Sequence, residues 1–190
     1  IRRIRALCDA RGLALHLDGA RLFNALVARG ESPQDYGALF DTISICLSKG
    51  LGAPVGSLLL GSNAAIAQAR RLRKLYGGGM RQAGHLAAAG LYALEHHVAR
   101  LADDHARAQR VAAELAALPW VAEVLPVETN VVICLLDPAV PPSRLVGHLA
   151  TRGVRAASMG GQTVRFVFHL QVDDAQVATL RDAIRAFDPG

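Results

Sequence analysis

Cysteine is scarce in this chain: three residues, at 8, 46 and 134, an odd number without CxxC spacing. That pattern excludes a disulfide framework and a zinc site of the usual ligand spacing, and it fits a reducing, cytoplasmic setting. Long apolar runs are missing too. None approaches the roughly 18 residues of a membrane-spanning helix, since even the run at 57–60 is closed by Gly61, Ser62 and Asn63, so a soluble protein without membrane partners is expected. The basic cluster Arg70, Arg71, Arg73 and Lys74 lacks interleaved aromatic residues, which argues against nucleic-acid binding and for one exposed turn of a helix. The chain also lacks an initiating Met and a cap before its first helical repeat, Ile1, Ile4, Leu7 and Cys8. It is expected to start inside a helix of a longer protein.

What is present is core-forming material: 190 residues, 52% hydrophobic and 19% charged. Such a composition supports a folded domain or two small ones. The excess of 21 basic over 16 acidic residues comes largely from two short stretches, near 2–11 and 70–81. The pattern predicts a helix to residue 11, a strand at 13–17, a helix at 21–29, strands at 42–47 and 55–60, and a helix at 64–75 capped by Asn63. A triple glycine at 77–79 follows, then one long helical stretch over 83–117. Beyond Pro119 the texture changes to strands at 121–127, 130–136, 154–156 and 163–168, with helices near 143–152 and 173–187. Alternation of this kind in both halves indicates an α/β or α+β architecture, divided here as 1–100 and 101–190.

Lys49 directly follows the strand at 42–47, within a run rich in glycine (Gly50, Gly52). C-terminal strand ends are where open α/β sheets hold ligands, and glycines let a planar group approach the backbone. The alternative is an ordinary exposed loop lysine. Asp18 also ends an apolar strand, beside the small Gly19 and Ala20, which places a carboxylate at the same crevice. Its alternative is a turn or N-cap aspartate opening the helix at 21–29. A strand-end lysine with a carboxylate suits pyridoxal phosphate, whose aldehyde needs an amine and whose pyridine nitrogen needs an acid to keep it protonated. The seven histidines form no spaced ligand set, so no metal is expected. His16 is expected to point away from Asp18, and Cys46 to be a small core residue.

Three segments, LHLDGARLFNA at 15–25, ICLSKGLGAPVGS at 45–57 and GGGMRQAG at 77–84, resemble the low-specificity L-threonine aldolases in sequence and order. TVRFVFH at 163–169 extends the likeness more weakly, so that it covers nearly the whole chain. The resemblance implies the C-terminal portion of a fold type I enzyme: part of a cofactor-binding large domain with a mainly parallel sheet at 1–100, then a smaller α/β domain with a connector helix at 101–190. It implies that Lys49 forms the Schiff base with pyridoxal phosphate and that Asp18 pairs with the pyridine nitrogen. Arg21 would lie near the cofactor phenolate and the substrate carboxylate, Ser48 beside the cofactor, and Arg165 on the substrate carboxylate. Gly77, Gly78 and Gly79 with Arg81 would meet the phosphate near a subunit boundary, with Lys74 a lesser candidate.

The implied reaction is retro-aldol cleavage of L-threonine or L-allo-threonine to glycine and acetaldehyde. The implied partners are the amino-acid substrate, an absent N-terminal segment bearing the base and further phosphate contacts, and further copies of the chain in a dimer or tetramer. β-Eliminating lyases and aminotransferases share the strand-end lysine, and a fragment serving only subunit association remains open beside them.

Overall fold

Asp41 and Leu15 set the first strands in line. In a computed structural model that describes all 190 residues, the Asp41 N–H donates to Leu15 O at 2.9 Å, and the Leu15 N–H donates to Asp41 Oδ2 at 2.7 Å. Arg5, on helix α1 (Arg2–Ala10), donates to the same carboxylate oxygen at 2.8 Å. The Leu15 N–H and then Arg5 hold the Asp41 carboxyl below the usual carboxylate range. From this anchor β1 (His16–Gly19) and β2 (Thr42–Cys46) run parallel, with His16 beside Thr42 and Gly19 beside Ile45.

The chain divides into two compact units, Ile1–Ala99 and Arg100–Gly190. In the first, α2 (Leu22–Arg29) lays Leu22 and Leu26 on Ile43 and Ile45, the alternate residues of β2 that face inward. Helix α3 (Pro33–Gly37) fills the expected polar turn, and Ser32 Oγ caps it by accepting from the Gln34 N–H. Strand β3 (Ser57–Gly61) pairs antiparallel with β2, giving the sheet order β1-β2-β3. An antiparallel edge strand on a parallel pair is a common arrangement in α/β sheets. Helices α4 (Asn63–Leu75) and α5 (Gly84–His96) complete this unit.

The second unit contains α6 (Leu101–Ala116), β4 (Val121–Val124), β5 (Val131–Leu136), α7 (Pro142–Ala150), β6 (Ala157–Ser158), β7 (Thr163–Val167) and α8 (Asp174–Arg185). Its sheet is antiparallel throughout, in the order β4-β5-β7-β6. One face of β5 and β7 (Val132, Cys134, Leu136, Val164, Phe166) joins Val111 and Leu115 of α6, Leu145 and Leu149 of α7, and Val177, Leu180 and Ile184 of α8 in a single core. A full capping box starts α8: Asp173 Oδ1 accepts from the Gln176 N–H and Gln176 Oε1 from the Asp173 N–H.

Several expectations are corrected. The long helix at 83–117 is two helices, interrupted over 97–100. The cap of α4 is Ser62, whose Oγ accepts from the Ala65 N–H at 3.2 Å, and Asn63 is already helical. β1 starts and ends later than 13–17, so Asp18 lies inside the strand. The strand expected at 154–156 forms only at Ala157–Ser158. Cys46 is half-buried, whereas burial of Cys134 pushes its thiol up to about 11. All three cysteines are free, and no helix is long and apolar enough to cross a membrane.

Candidate active site

The site is built on the C-terminal ends of β1 and β2, which lie level because Gly19 pairs with Ile45 and the strands are parallel. Level parallel ends point their outgoing turns the same way, making the crevice outside them the natural ligand position. Gly19 permits the close pairing: a Cβ there would sit 2.6 Å from Ser44 O, backbone that cannot give way cheaply. Asp18 stands next to it, exposed, its Oδ1 accepting from the Ala20 N–H at 3.2 Å. That bond closes a local turn. It does not cap α2, whose N-cap residue is Arg21, with no side-chain cap bond.

His16 and Asp18, two apart on one strand, share a face, and both are exposed. The expectation that His16 points away from Asp18 is therefore wrong. Its Nδ1 meets Thr42 Oγ1 at 2.8 Å, a link between the beginnings of the strands, away from the end that bears Lys49.

Lys49 lies three residues beyond the end of β2, on a loop that folds back on itself. The Leu47 N–H donates to Gly56 O, the Ala53 N–H to Leu47 O, and the Gly52 N–H to Lys49 O, all at 2.9–3.0 Å. Gly52 has φ +71°, a backbone geometry suited to glycine. Ser48 and Lys49 are exposed while Leu47, Gly50, Leu51 and Ala53 are buried, so the loop presents two polar side chains from an anchored base. Between this loop and the start of α2 is a crevice of about 10 Å³, lined by residues that include Gly19, Arg21, Cys46 and Gly50. A pyridine ring does not fit inside it, and the exposed side chains of Asp18 and Lys49 are not part of its lining. Gly90 of α5 lies under the loop, where a Cβ would come 3.0 Å from Leu47 Cδ1, and His97 Nδ1 meets Leu51 O at 2.6 Å. Sequence reasoning passed over both residues, because a glycine within a helical run and a histidine at its end carry no motif.

The structure thus brings Asp18, Arg21, Ser48 and Lys49 to one end of the β1–β2 pair. Arg81 is exposed in the loop before α5. The preceding glycines serve the end of a helix instead. The Gly77 N–H donates to Lys74 O and the Gly78 N–H to Arg73 O, with Gly77 at φ +78°. This is a Schellman ending of α4. Those two N–H groups are spent on helix carbonyls, which corrects the expectation that they cradle phosphate.

Arg165 belongs to the second unit. It sits on β7 between Ile133 and Ala157, on the face opposite Val164 and Phe166, with its Nε buried and unbonded. A buried guanidinium N–H without an acceptor is a costly arrangement that an incoming carboxylate would relieve.

With this geometry in view, the similarities are specific. The family model for the beta-eliminating lyases matches residues 1–139. The chain belongs to the beta-eliminating lyase family. Over 177 residues it is 44% identical to the low specificity L-threonine aldolase of Escherichia coli K12, covering 93% of this chain and 52% of that protein. It is 36% identical over 185 residues to the low-specificity L-threonine aldolase of Candida albicans, covering 97% and 48%. The chain therefore spans about half the length of these relatives. Among solved structures, the Leishmania major threonine aldolase superposes with a TM-score of 0.76 at 22% identity, over 96% of this chain and 54% of that one. An ornithine aminotransferase from Toxoplasma gondii superposes with a TM-score of 0.68 at 18% identity, over 96% and 44%. At these identities the superpositions establish the architecture, that of the fold type I enzymes, in which family members with different reactions share one scaffold.

Proposed function

We propose that this chain supplies the C-terminal half of a pyridoxal-phosphate-dependent aldolase, one that cleaves the Cα–Cβ bond of L-threonine or L-allo-threonine to give glycine and acetaldehyde. The observation that carries the proposal is the exposure of Lys49 and Asp18 together at the level ends of β1 and β2. Their chemistry fits the cofactor: an amine to hold its aldehyde and a carboxylate to keep its ring nitrogen protonated. Bound there, the cofactor supplies an electron sink for the pair released at Cα.

The side chains of this chain do the rest by positioning. Lys49 would hold the cofactor through its amine, Asp18 would keep a proton on the ring nitrogen, and Ser48 and Arg81 would bind its polar periphery. Arg21 and Arg165 hold the substrate carboxylate, for which a planar guanidinium provides two parallel donors. Fixing that carboxylate would orient the bonds at Cα and so select the one that breaks. A base takes the β-hydroxyl proton as Cα–Cβ opens, and a proton returned to Cα completes glycine. We assign that base to the N-terminal half of the protein, a length that the relatives have and this chain does not span. Residues 1–100 then belong to the large domain and 101–190 to the small domain, with α6 as connector. The three free cysteines suit a cytoplasmic enzyme, and we assign it a homo-oligomeric state, dimer or tetramer.

The test is reduction of the intact gene product with borohydride in the presence of pyridoxal phosphate, followed by peptide mapping. The expected pyridoxyl label is on Lys49; a label elsewhere, or none, overturns the assignment. In parallel, aldehyde release from both threonine diastereomers is expected to fall at least about a thousandfold in Lys49→Ala. Because Lys49 is exposed, the thermal midpoint should stay where it is.

A further inference from the structure

Helix α5 ends under the loop that carries Lys49, and its contacts there are few and directed. Leu51 is 3% exposed, so its carbonyl cannot turn to bulk water, and His97 Nδ1 meets that carbonyl oxygen at 2.6 Å across 46 positions of sequence. A carbonyl only accepts, so Nδ1 carries the hydrogen. His97 is itself fixed as the C-cap of α5: its backbone N–H donates to Ala93 O at 2.9 Å, and its ring stands edge-on to Tyr92 with centroids 5.4 Å apart. Earlier on the same helix, buried Gly90 leaves room for Leu47, the residue at which β2 passes into the loop.

The loop has two kinds of restraint. Its internal bonds, Leu47 with Gly56 and Ala53 with Leu47, fix its shape. Together with the Cys46–Ser57 pairing of β2 and β3 they fix its base on the sheet and leave the Leu51 end to other contacts. The bond to His97 ties the residue two places beyond Lys49 to a helix outside the loop. From this geometry we infer that His97 is a positioning residue for Lys49: by donating from Nδ1 to Leu51 O it sets the place of the lysine on the sheet end. The inference rests on the reading of Lys49 as the cofactor lysine. Its chemistry is indirect, since a misplacement of about 1 Å at a reacting group can cost on the order of a hundredfold in rate.

Three substitutions in the intact protein separate this role from simple space filling. His97→Phe keeps a ring beside Tyr92 and removes the donor. His97→Asn removes the ring and keeps an N–H where Nδ1 stands, whereas His97→Gln moves its N–H one bond further out. The first readout needs no cofactor: the rate at which trypsin cuts the Lys49–Gly50 bond of the cofactor-free protein, which follows how often the loop opens. The second is the split between kcat and KM with pyridoxal phosphate bound.

His97→Phe is expected to raise the cleavage rate about tenfold, because a buried carbonyl loses its partner. It should also lower kcat about tenfold or more while KM stays within about twofold. His97→Asn should match the parent within about threefold in both readouts, with His97→Gln close to Phe. A Phe variant that behaves as the parent, or an Asn variant as impaired as Phe, overturns the inference. If Phe fails to fold, the Asn and Gln pair decides, and equal behaviour of those two overturns it. A parent protein left unlabelled at Lys49 by borohydride would sink the cofactor reading instead, while trypsin still reports whether His97 holds the loop.

Discussion

The two units of this chain bury themselves very differently. Residues 100–190 close one core of eighteen buried residues over an antiparallel sheet and leave only Met159 and Leu170 as exposed large hydrophobic side chains. In the first unit Leu22, Leu26, Ile43 and Ile45 form one cluster, with Cys8, Leu47, Leu51, Ala53 and Ala93 buried besides, and the other fourteen exposed large hydrophobics of the chain lie on it, among them Leu58, Leu59 and Leu60 of β3 and Leu75, Tyr76 and Leu91 of the helices. Apolar side chains open to water on an edge strand are a feature that folded proteins usually cover. The contrast amounts to a division of labour. The second unit gathers its buried residues into one large core, while the unit that carries Lys49 and Asp18 buries fewer, spread over the α2–β2 cluster and the lysine loop.

Separate expression of the two units puts that division at greatest risk. Residues 100–190 should unfold cooperatively in urea, and residues 1–99 should show no cooperative transition; a sharp transition in the latter would refute the division. Within the whole chain, Leu145→Ala in the larger core should cost about 3–5 kcal/mol, and Leu26→Ala in the small cluster nearer about 2 kcal/mol, both read from urea midpoints. The next effect tests whether the thin unit tolerates crowding: Gly19→Ala forces a Cβ against Ser44 O and should cost about 1–3 kcal/mol, with cofactor loading at Lys49 reduced in step.

The smallest effect lies at the surface of the second unit. Arg107 and Arg110 hold the Asp174 carboxyl down to about 2, below its ordinary 3.8. The folded pKa lies under the unfolded one, so this contribution is complete above about pH 4 and drains away as pH falls towards 2. Asp174→Asn should therefore lower the thermal midpoint of residues 100–190 slightly at neutral pH and converge with the parent near pH 2. A constant offset across that range would assign the effect to something other than the carboxylate.

Much of this was legible in the sequence, for reasons that differ by element. β5 announces itself by a continuous apolar run opened by β-branched residues and β7 by alternation, and Gly12 and Gly30 mark chain reversals after α1 and α2 at φ +61° and +64°. Lys49 and Asp18 stood out because each follows or ends an apolar run, and β1 and β2 do put them at one end of a parallel pair. The break at 97–100 was illegible, since His97, Val98, Ala99 and Arg100 include neither Gly nor Pro and the helical periodicity runs on through them. The true cap of α4 was hidden by two adjacent residues of equal capping merit, Ser62 and Asn63. The glycines at 77 and 78 misled for a related reason: backbone freedom serves a helix ending as readily as an anion, and only the hydrogen bonds tell which.

β2 is the one strand of its sheet paired on both sides, with β1 along one edge and β3 along the other. Opening of a native structure begins at edges and ends, where fewest bonds must break at once. Fraying of β1 would loosen a wall of the crevice while the lysine loop kept both of its roots, Leu47 beyond β2 and Gly56 before β3, on a paired hairpin. The Lys49 amine thus hangs from the part of this sheet that lets go last, so loosening of the β1 edge need not shift it.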